Sequence, residues 1–224
     1  MTKWQALRYA WRKTAPLPLG WRLHQTVRAL LAPFEKLVEH LPAAGQLVDV
    51  GCGHGLFLLL SRKARPELSL VGLDLSADKV AAARVLLSSG GIDAELAVAD
   101  VAELPDETSD AISIIDVLYL VPEERWPEVL SRCYAKLRPG GSLLLKEMDA
   151  SQRVKLNLLR LEEWLAVRVL GWTLAQGRDF HFPAPQRVSQ MLEQAGFAVR
   201  ELPLHQRSFA PHHLWFATKP AYSS

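Results

Sequence analysis

Short apolar runs alternate with stretches of helical apolar spacing through the middle of the chain. Each run is bounded by turn-forming residues, as expected for buried strands, and the stretches between the runs repeat apolar residues every three or four positions. Strands and helices that alternate in this way form a parallel sheet with helices on its faces. The pattern therefore predicts an α/β fold, with strands at residues 47–50, 68–74, 94–99, 111–115 and 142–146. Among the intervening helices, one is predicted at residues 77–88 with Ser76 as its N-cap, and one is predicted to start at Pro122 and run to Leu137.

Two helices are predicted before the first strand, at residues 1–14 and 21–40. Pro33 should kink or break the second, because proline cannot donate the backbone hydrogen bond that a helix interior needs. Trp4 and Trp11 share one face of the first helix, with basic residues around them. This composition fits a helical cap on the domain, and it also fits a helix that lies on a membrane surface.

A helical insertion is predicted after the fifth strand, at residues 150–182. It is very apolar, but its interspersed charges exclude a membrane span. Because it leaves the carboxyl end of a strand, it would lie over that edge as a lid that lines an acceptor pocket, or else serve as a core helix or a dimer face. A helix at 186–195 then precedes a sixth strand at 196–199 and a seventh at 213–218.

The first strand runs into a glycine-rich turn with the pattern Asp49-x-Gly51-x-Gly53-x-Gly55, and an apolar helix follows. Glycines let the backbone turn tightly and approach a ligand, and the start of the helix presents unpaired N–H groups. The dinucleotide fingerprint G-x-G-x-x-G differs, since here the third glycine comes one residue early and an acid precedes the turn. An acid repels phosphate, so the turn suits a cationic ligand better than a pyrophosphate.

Acidic residues stand at the ends of four consecutive predicted strands. Parallel strands end at one edge of a sheet, so these acids should lie together at the carboxyl edge. They are Asp49, Asp74, Asp100 and Asp116. Asp74 follows the glycine turn by about twenty residues, where a carboxylate can accept both hydroxyls of a ribose. The sequence thus predicts a nucleoside-binding site at this edge.

The glycine turn and the acids together resemble motifs of the class I S-adenosylmethionine (SAM) dependent methyltransferases. The resemblance includes a turn at 138–141 before the fifth strand, covers about residues 45–149, and extends more loosely to the end. It implies a seven-stranded Rossmann-like sheet in the order 3-2-1-4-5-7-6, with the last strand antiparallel. The implied division of the chain is an N-terminal helical cap at 1–42, a SAM-binding core at 43–149, a helical lid at 150–182, and strands and a helix that complete the core at 183–224.

The resemblance also implies a SAM site along the carboxyl edge, with S-adenosylhomocysteine as the product and no metal. The glycine turn would serve the methionine part, Asp74 the ribose and Asp116 the methionine amino group. Asp100 and Val101 would meet the adenine. The implied cofactor-binding residues are Asp49, Gly51, Cys52, Gly53, Gly55, Asp74, Leu75, Asp100, Val101, Asp116 and Val117.

A phenol, enol or carboxylate acceptor would require a base, and the sequence does not single one out. The candidates at the predicted edge are Tyr119, Glu147, His181, His205 and His212. An isolated histidine is more often a structural or surface residue than a base. The later histidines have no clear partners for a metal site, so none is expected.

The charge balance argues against a nucleic-acid substrate. The chain carries 26 Lys and Arg against 24 Asp and Glu. The end of the fourth strand lacks the Asn/Asp-Pro-Pro-aromatic pattern of methyltransferases that act on nucleic-acid amino groups, and the core has no basic patch with interleaved aromatics. Small-molecule methyltransferases similar to those of quinone biosynthesis fit best. We therefore expect an apolar or aromatic acceptor, with O-methylation ahead of C- or N-methylation.

The remaining composition bears on location and partners. Cys52 and Cys133 are the only cysteines, no uncharged apolar run approaches a membrane span, and the basic start lacks the apolar core of a signal peptide. These features predict a cytoplasmic protein. The basic residues before position 46 allow peripheral membrane contact through residues 1–40, and the oligomeric state stays open, with a homodimer among the choices.

Three other functions compete with small-molecule methylation. The chain could bind SAM without catalysis, as a regulator or partner subunit, because the acids alone do not distinguish the two. It could methylate a lipid while docked on a membrane, or it could methylate a macromolecule. A nucleotide-dependent oxidoreductase is the remaining alternative, and the early third glycine argues against it.

Overall fold

The computed structural model describes residues 1–100, 104, 108–148, 183–203 and 212–221. The predicted insertion at 150–182, and with it His181, lies outside the described residues, as do Val101 and His205. No helix in the described ranges is long and apolar enough to cross a bilayer.

Seven strands form one sheet in the order β3-β2-β1-β4-β5-β7-β6. Strand β7 is antiparallel to both of its neighbours, and the other pairings are parallel. The predicted fold and strand order are therefore confirmed. The strands are β1 Ala44–Val50, β2 Glu67–Asp74, β3 Glu95–Val98, β4 Ser109–Ile115, β5 Leu137–Met148, β6 Ala198–Pro203 and β7 His212–Thr218.

The helices flank this sheet in chain order. They are α1 Lys3–Lys13, α2 Leu19–Leu31, α3 Phe34–Leu37, α4 Leu56–Ala64, α5 Ala77–Ser89, α6 Trp126–Lys136 and α7 Pro185–Gln194. The predicted break at Pro33 is confirmed, since α2 ends before it and α3 begins after it. Ser76 caps α5 as expected, because its hydroxyl accepts a hydrogen bond from the Lys79 N–H.

Several predicted boundaries were wrong, including those of the sixth strand, which spans Ala198–Pro203 and not 196–199. Helix α6 begins at Trp126 rather than at Pro122, after a short 3-10 turn, because Pro127 fits the first turn of a helix and not its interior. The predicted turn at 138–141 lies inside β5, where the pairing shifts between Leu137 and Ser142. Gly140, at φ +81°, bends this bulge, and its N–H still donates to the Lys219 carbonyl oxygen.

The core lies on the two faces of the sheet. Alternate residues of β1 divide between them, so that Leu47 packs under the helices α1 to α5, whereas Val48 and Val50 pack under α6 and α7. The first half of α4 is covered on every side, since all five residues of 56–60 are apolar and buried. The N-terminal helices share this core through residues such as Ala10, and α1 and α3 pack against α4.

Candidate active site

The glycine turn adopts a backbone that other residues rarely take. Gly51, Gly53 and Gly55 have φ angles of +73°, +55° and +81°. A Cβ on Gly51 would stand 2.2 Å from Cγ2 of Val117, so this glycine lets the end of β4 pack against the turn. A Cβ on Gly53 would meet only Nη1 of Arg28, at 3.6 Å. The backbone at Gly53 is therefore accessible to a ligand, in a space that the Arg28 guanidinium borders.

Asp74 is held in place by the backbone around it. Its Oδ2 accepts a hydrogen bond from the Gly53 N–H at 2.9 Å, and its Oδ1 accepts one from the Ser76 N–H at 2.9 Å. An ionised carboxylate has about four lone-pair sites, so two remain for ligand hydroxyls. The carboxylate is therefore fixed in orientation before a ligand arrives, as a ribose acceptor requires.

Asp49 is buried beneath the turn at the end of β1. Ser113 on the neighbouring strand donates its hydroxyl to Oδ1 of Asp49 at 2.6 Å. Burial raises the pKa of Asp49 to about 7, against the opposing effects of this hydrogen bond and of Arg28. A cation placed nearby would lower that pKa and hold the carboxylate ionised, which fits the cationic ligand that the sequence indicated.

Asp116 takes a left-handed conformation at the end of β4, with φ +57°. Aspartate tolerates this region better than most residues, and such outliers cluster at functional sites. Its Oδ1 accepts a hydrogen bond from the Lys146 ammonium at 2.5 Å. Lys146 is fully buried, and burial lowers its pKa while the charge of Asp116 opposes that shift. The pair fixes the chain reversal that follows β4.

Glu147 clamps the same reversal from the end of β5. Its Oε1 accepts hydrogen bonds from the Val117 N–H at 3.1 Å and the Leu118 N–H at 2.7 Å. Its Oε2 is buried and has no hydrogen-bond partner among the described residues. Burial, followed by the charge of Asp116, raises the pKa of Glu147. One oxygen is thus structural, and the other is an unsatisfied acceptor beside the acid cluster.

Helix α2 brings residues to the site that the sequence reasoning missed. The Arg28 guanidinium nitrogen Nη2 lies 4.0 Å from Oδ2 of Asp116. The Gln25 side-chain nitrogen donates to Nδ1 of His54 at 2.9 Å and to Nδ1 of His24 at 3.2 Å. The Trp21 ring stands 4.9 Å from the His54 ring. These positions follow one stripe of α2, which was the available signal, and they place the helix over the glycine turn.

Other predicted residues meet the site to differing degrees. Leu75 is exposed beside Asp74, as a flank of adenine would be, and Asp100 lies 3.5 Å from Nη2 of Arg125. The Cys52 side chain is buried in the core, and its thiol donates to the Gly53 carbonyl oxygen. Only the backbone of Cys52 is therefore in a position to contact a ligand. Tyr119 is buried just after β4.

The remaining candidate base, His212, begins β7 opposite Met148, the last residue of β5. Because β7 runs antiparallel, its first residue lies at the carboxyl edge of the other strands. The backbone of His212 therefore lies at this edge, and its role as a base stays a prediction. With His181 and His205 outside the described residues, Glu147 and Tyr119 are the candidate bases whose burial is defined.

A separate open cleft of about 540 Å³ lies at the opposite edge of the sheet. Its lining includes Gly45, Asp110 and Arg138. The two charged residues already pair, since Nη1 of Arg138 lies 3.0 Å from Oδ1 of Asp110. None of the predicted site residues that the structure describes lines this cleft. The chemistry therefore concentrates at the carboxyl edge.

The contact between α2 and the glycine turn should weaken in acid. Burial lowers the pKa of His24 to about 3 and that of His54 to about 4, with nearby Arg28 and Lys79 adding to both shifts. The unfolded chain binds these protons near pH 6.5. The two neutral histidines therefore do not lower the free energy of unfolding above about pH 6.5. As the pH falls from 6.5 toward 4, each histidine lowers that free energy by up to about 1.4 kcal/mol per pH unit.

Urea unfolding at pH 7 and pH 5 can measure this loss. Asp49 and Glu147 act in the opposite direction, because their raised pKa values favour the folded state in acid. The informative quantity is therefore the difference between the chain and a His54→Asn variant. We expect the variant to lose less stability on acidification. Equal losses in the two proteins would contradict a neutral buried His54.

The arranged groups fit SAM part by part. A fixed carboxylate with spare lone pairs suits the ribose diol, and Arg28 suits the methionine carboxylate. Asp49 and Asp116 suit the ammonium and the sulfonium, since opposite charges stabilise both. Leu75 offers an exposed apolar side chain to the adenine ring. The edge therefore matches a zwitterionic nucleoside that carries an additional positive charge.

Comparisons with known proteins also point to SAM-dependent methyltransferases. The family described as "Methyltransferase domain" matches residues 22–202. The chain is 27% identical over 164 residues to a ubiquinone biosynthesis O-methyltransferase of Xanthomonas axonopodis pv. citri, covering 72% of this chain and 66% of that one. It is also 27% identical over 191 residues to a tRNA N(3)-methylcytidine methyltransferase of Drosophila melanogaster, covering 77% of this chain and 57% of that one. It thus spans less than two thirds of both relatives.

Among solved structures, an O-methyltransferase family protein from Burkholderia thailandensis superimposes with a TM-score of 0.69 at 18% identity. The match covers 95% of this chain and 63% of that one. At this identity the likeness establishes the fold alone. With the family match over most of the chain, the sheet order and the acids at the strand ends, the chain belongs to the class I SAM-dependent methyltransferases.

Proposed function

We propose that the protein transfers the methyl group of SAM to an oxygen atom of an apolar or aromatic small molecule. The observation that carries the oxygen acceptor is Oε2 of Glu147, which is buried next to Asp116 and has no hydrogen-bond partner in the part of the chain that the structure describes. A buried acceptor without a donor is costly, so a ligand hydroxyl placed there would be favoured. The apolar character of the acceptor rests on the predicted insertion at 150–182 and on the quinone-biosynthesis relative.

Different residues at the carboxyl edge bind different parts of SAM. SAM supplies a methyl group on a sulfonium, which makes the carbon open to displacement. Asp74 accepts the ribose hydroxyls, and Arg28 pairs with the methionine carboxylate. Asp116, whose side chain is held by Lys146, stabilises the positive charge of the bound SAM. Fixing the donor in one orientation lets the acceptor approach in line with the breaking bond, and this positioning is the main source of rate in such a displacement.

Glu147 has the features of a general base for a hydroxyl acceptor. Transfer forms an oxygen–methyl bond and breaks the carbon–sulfur bond, whose electrons neutralise the sulfonium. The hydroxyl proton must leave the acceptor, and Oε2 of Glu147 takes it. Burial raises the pKa of this carboxyl, and a base is most effective when its pKa lies near the working pH. The clamp on Val117 and Leu118 keeps Oε1 occupied, so Oε2 is the oxygen left for the acceptor.

Mass spectrometry of the purified protein with methyl-labelled SAM and a panel of apolar phenols tests this function. We expect label in a methyl ether and an equal amount of S-adenosylhomocysteine. Label in a carbon or nitrogen of the acceptor would overturn O-methylation. SAM binding without turnover, on the phenols and on a small-molecule extract alike, would favour the non-catalytic alternative. Turnover on tRNA instead would favour the macromolecular one.

Replacing Arg28 with Met should weaken SAM binding roughly ten- to hundredfold, because a charge-assisted hydrogen bond contributes about 1.5–3 kcal/mol. Calorimetry with two ligands makes the test specific. SAM carries the methionine carboxylate, whereas adenosine does not. We expect the affinity for adenosine to stay unchanged in Arg28→Met. An equal loss for both ligands would show that Arg28 acts on the shape of the site and not on the carboxylate.

A further inference from the structure

Large apolar side chains stand on the outer surface of α1 and α2. Leu19, Leu23 and Trp4 keep 74%, 56% and 69% of their surface exposed. Leu30 and Trp11 are also exposed. Leu19, Leu23 and Leu30 follow a spacing of four and seven residues, so they lie on one face of α2. Exposed apolar groups gathered in this way mark interaction sites, whereas scattered ones do not.

The same two helices carry several basic residues and no acidic ones. The first acidic residue of the chain is Glu35, whereas Lys and Arg occur repeatedly before it. These cations are Lys3, Arg8, Arg12, Lys13, Arg22 and Arg28. Arg8 and Arg12 are exposed on α1 beside the two tryptophans. The surface therefore combines apolar anchors with a strong bias toward anionic partners.

A stacked pair joins the exposed faces of the two helices. The Arg22 guanidinium carbon lies 3.7 Å from the centre of the Trp11 ring, and Arg22 also donates to the Trp11 carbonyl oxygen. Trp11 is thus held between α1 and α2 and is not a loose surface group. We define the docking surface as Trp4, Arg8, Trp11, Arg12, Leu19, Leu23 and Leu30.

We propose that the docking surface binds an anionic lipid bilayer. Tryptophan is favoured at the membrane interface, where its amphipathic ring sits at the level of the headgroups, and leucine adds apolar area. Arginine beside them is attracted to anionic headgroups. A second copy of this chain would present the same cations and would be repelled. The combination of apolar anchors with exposed arginines on helices that lack acidic residues therefore selects an anionic lipid surface over self-association.

Docking would also orient the catalytic edge. Helix α2 carries the docking surface on its outer side and Arg28, His24 and Gln25 over the glycine turn. A bilayer against the outer side would thus lie one helix away from the SAM site. An apolar acceptor dissolved in the bilayer would then have a short path to that site. This consequence rests on the proposed function, whereas the lipid contact itself does not.

Vesicle sedimentation of the full chain tests the contact. One set of vesicles contains phosphatidylcholine alone, and the other contains phosphatidylcholine mixed with phosphatidylglycerol. We expect binding to the anionic vesicles at low salt and a marked loss at high salt, since surface charge is screened. Trp4→Ala with Leu23→Ala should lower that binding roughly tenfold, as expected for removing two exposed apolar anchors.

A charge-matched pair of variants isolates the surface. Arg8→Glu with Arg12→Glu should abolish most vesicle binding. Arg84→Glu with Arg132→Glu changes the net charge by the same amount at exposed positions of α5 and α6, and it should preserve vesicle binding. SAM affinity of each variant reports whether the fold is intact. Equal effects of the two pairs, or no binding of the unaltered chain to anionic vesicles, would overturn the proposal. If the unaltered chain binds anionic vesicles but transfers no methyl group to any acceptor tested, that result would count against the proposed function and not against the lipid contact.

Discussion

Replacing Lys146 with Met should lower the free energy of unfolding by roughly 3 kcal/mol. Removing one partner of a buried ion pair leaves the other charge uncompensated, at about 3–5 kcal/mol. We expect the lower end of this range, because the Asp116 side chain keeps 19% of its surface exposed and Arg28 stands nearby. Methionine nearly matches the length of the lysine stem, so the packing of β5 should persist. Urea denaturation measures the change.

A double-mutant cycle separates the charge from the packing. Asp116→Asn alone leaves Lys146 buried without its anion, and it should destabilise the fold by a comparable amount. In Lys146→Met combined with Asp116→Asn neither charge remains, so the double variant should be more stable than the sum of the single effects predicts. Additive losses would show that the two side chains do not depend on each other. The interpretation of the left-handed Asp116 as a held conformation would then fail.

The sequence was sufficient to predict the features that depend on neighbours along the chain. The acids at 49, 74 and 116 follow apolar runs directly, and parallel strands must end at one edge, so their meeting required no tertiary information. The glycine turn was readable for the same reason, since its left-handed φ angles exclude most other residues. The family resemblance added the strand order, because periodicity alone does not decide which strands are neighbours.

The residues that were missed depend on packing between distant parts of the chain. Arg28 lies 88 positions before Asp116, and the stripe on α2 indicates a shared helix face but not that this face covers the glycine turn. Lys146 looked like the end of a strand with an ordinary charge, and its burial follows only when β5 is central in the sheet. The start of α6 was within reach, because Pro127 is itself a first-turn signal. The bulge in β5 could not be predicted, because a turn and a bulge that contain glycine have similar amino-acid compositions.

Glu147→Gln should reduce methyl transfer to a phenol roughly hundredfold or more while leaving SAM affinity unchanged. General-base catalysis contributes about 10²–10⁴ in rate. The amide oxygen of glutamine can still accept the hydrogen bonds from Val117 and Leu118, which preserves the clamp. The other position changes from an oxygen acceptor to an NH2 donor. The substitution therefore removes the proton acceptor and little else.

The pH dependence of kcat distinguishes this role from a structural one. A base must be ionised, and burial raises the pKa of Glu147, so kcat should rise with pH through a range well above that of an exposed carboxylate. In Glu147→Gln this rise should disappear, and Glu147→Asp should retain it with a lower rate. If Glu147 only clamped the chain reversal, the glutamine variant would stay within a few-fold of the original rate and keep its pH profile. Tyr119, the other buried candidate at this edge, would then be the residue to replace.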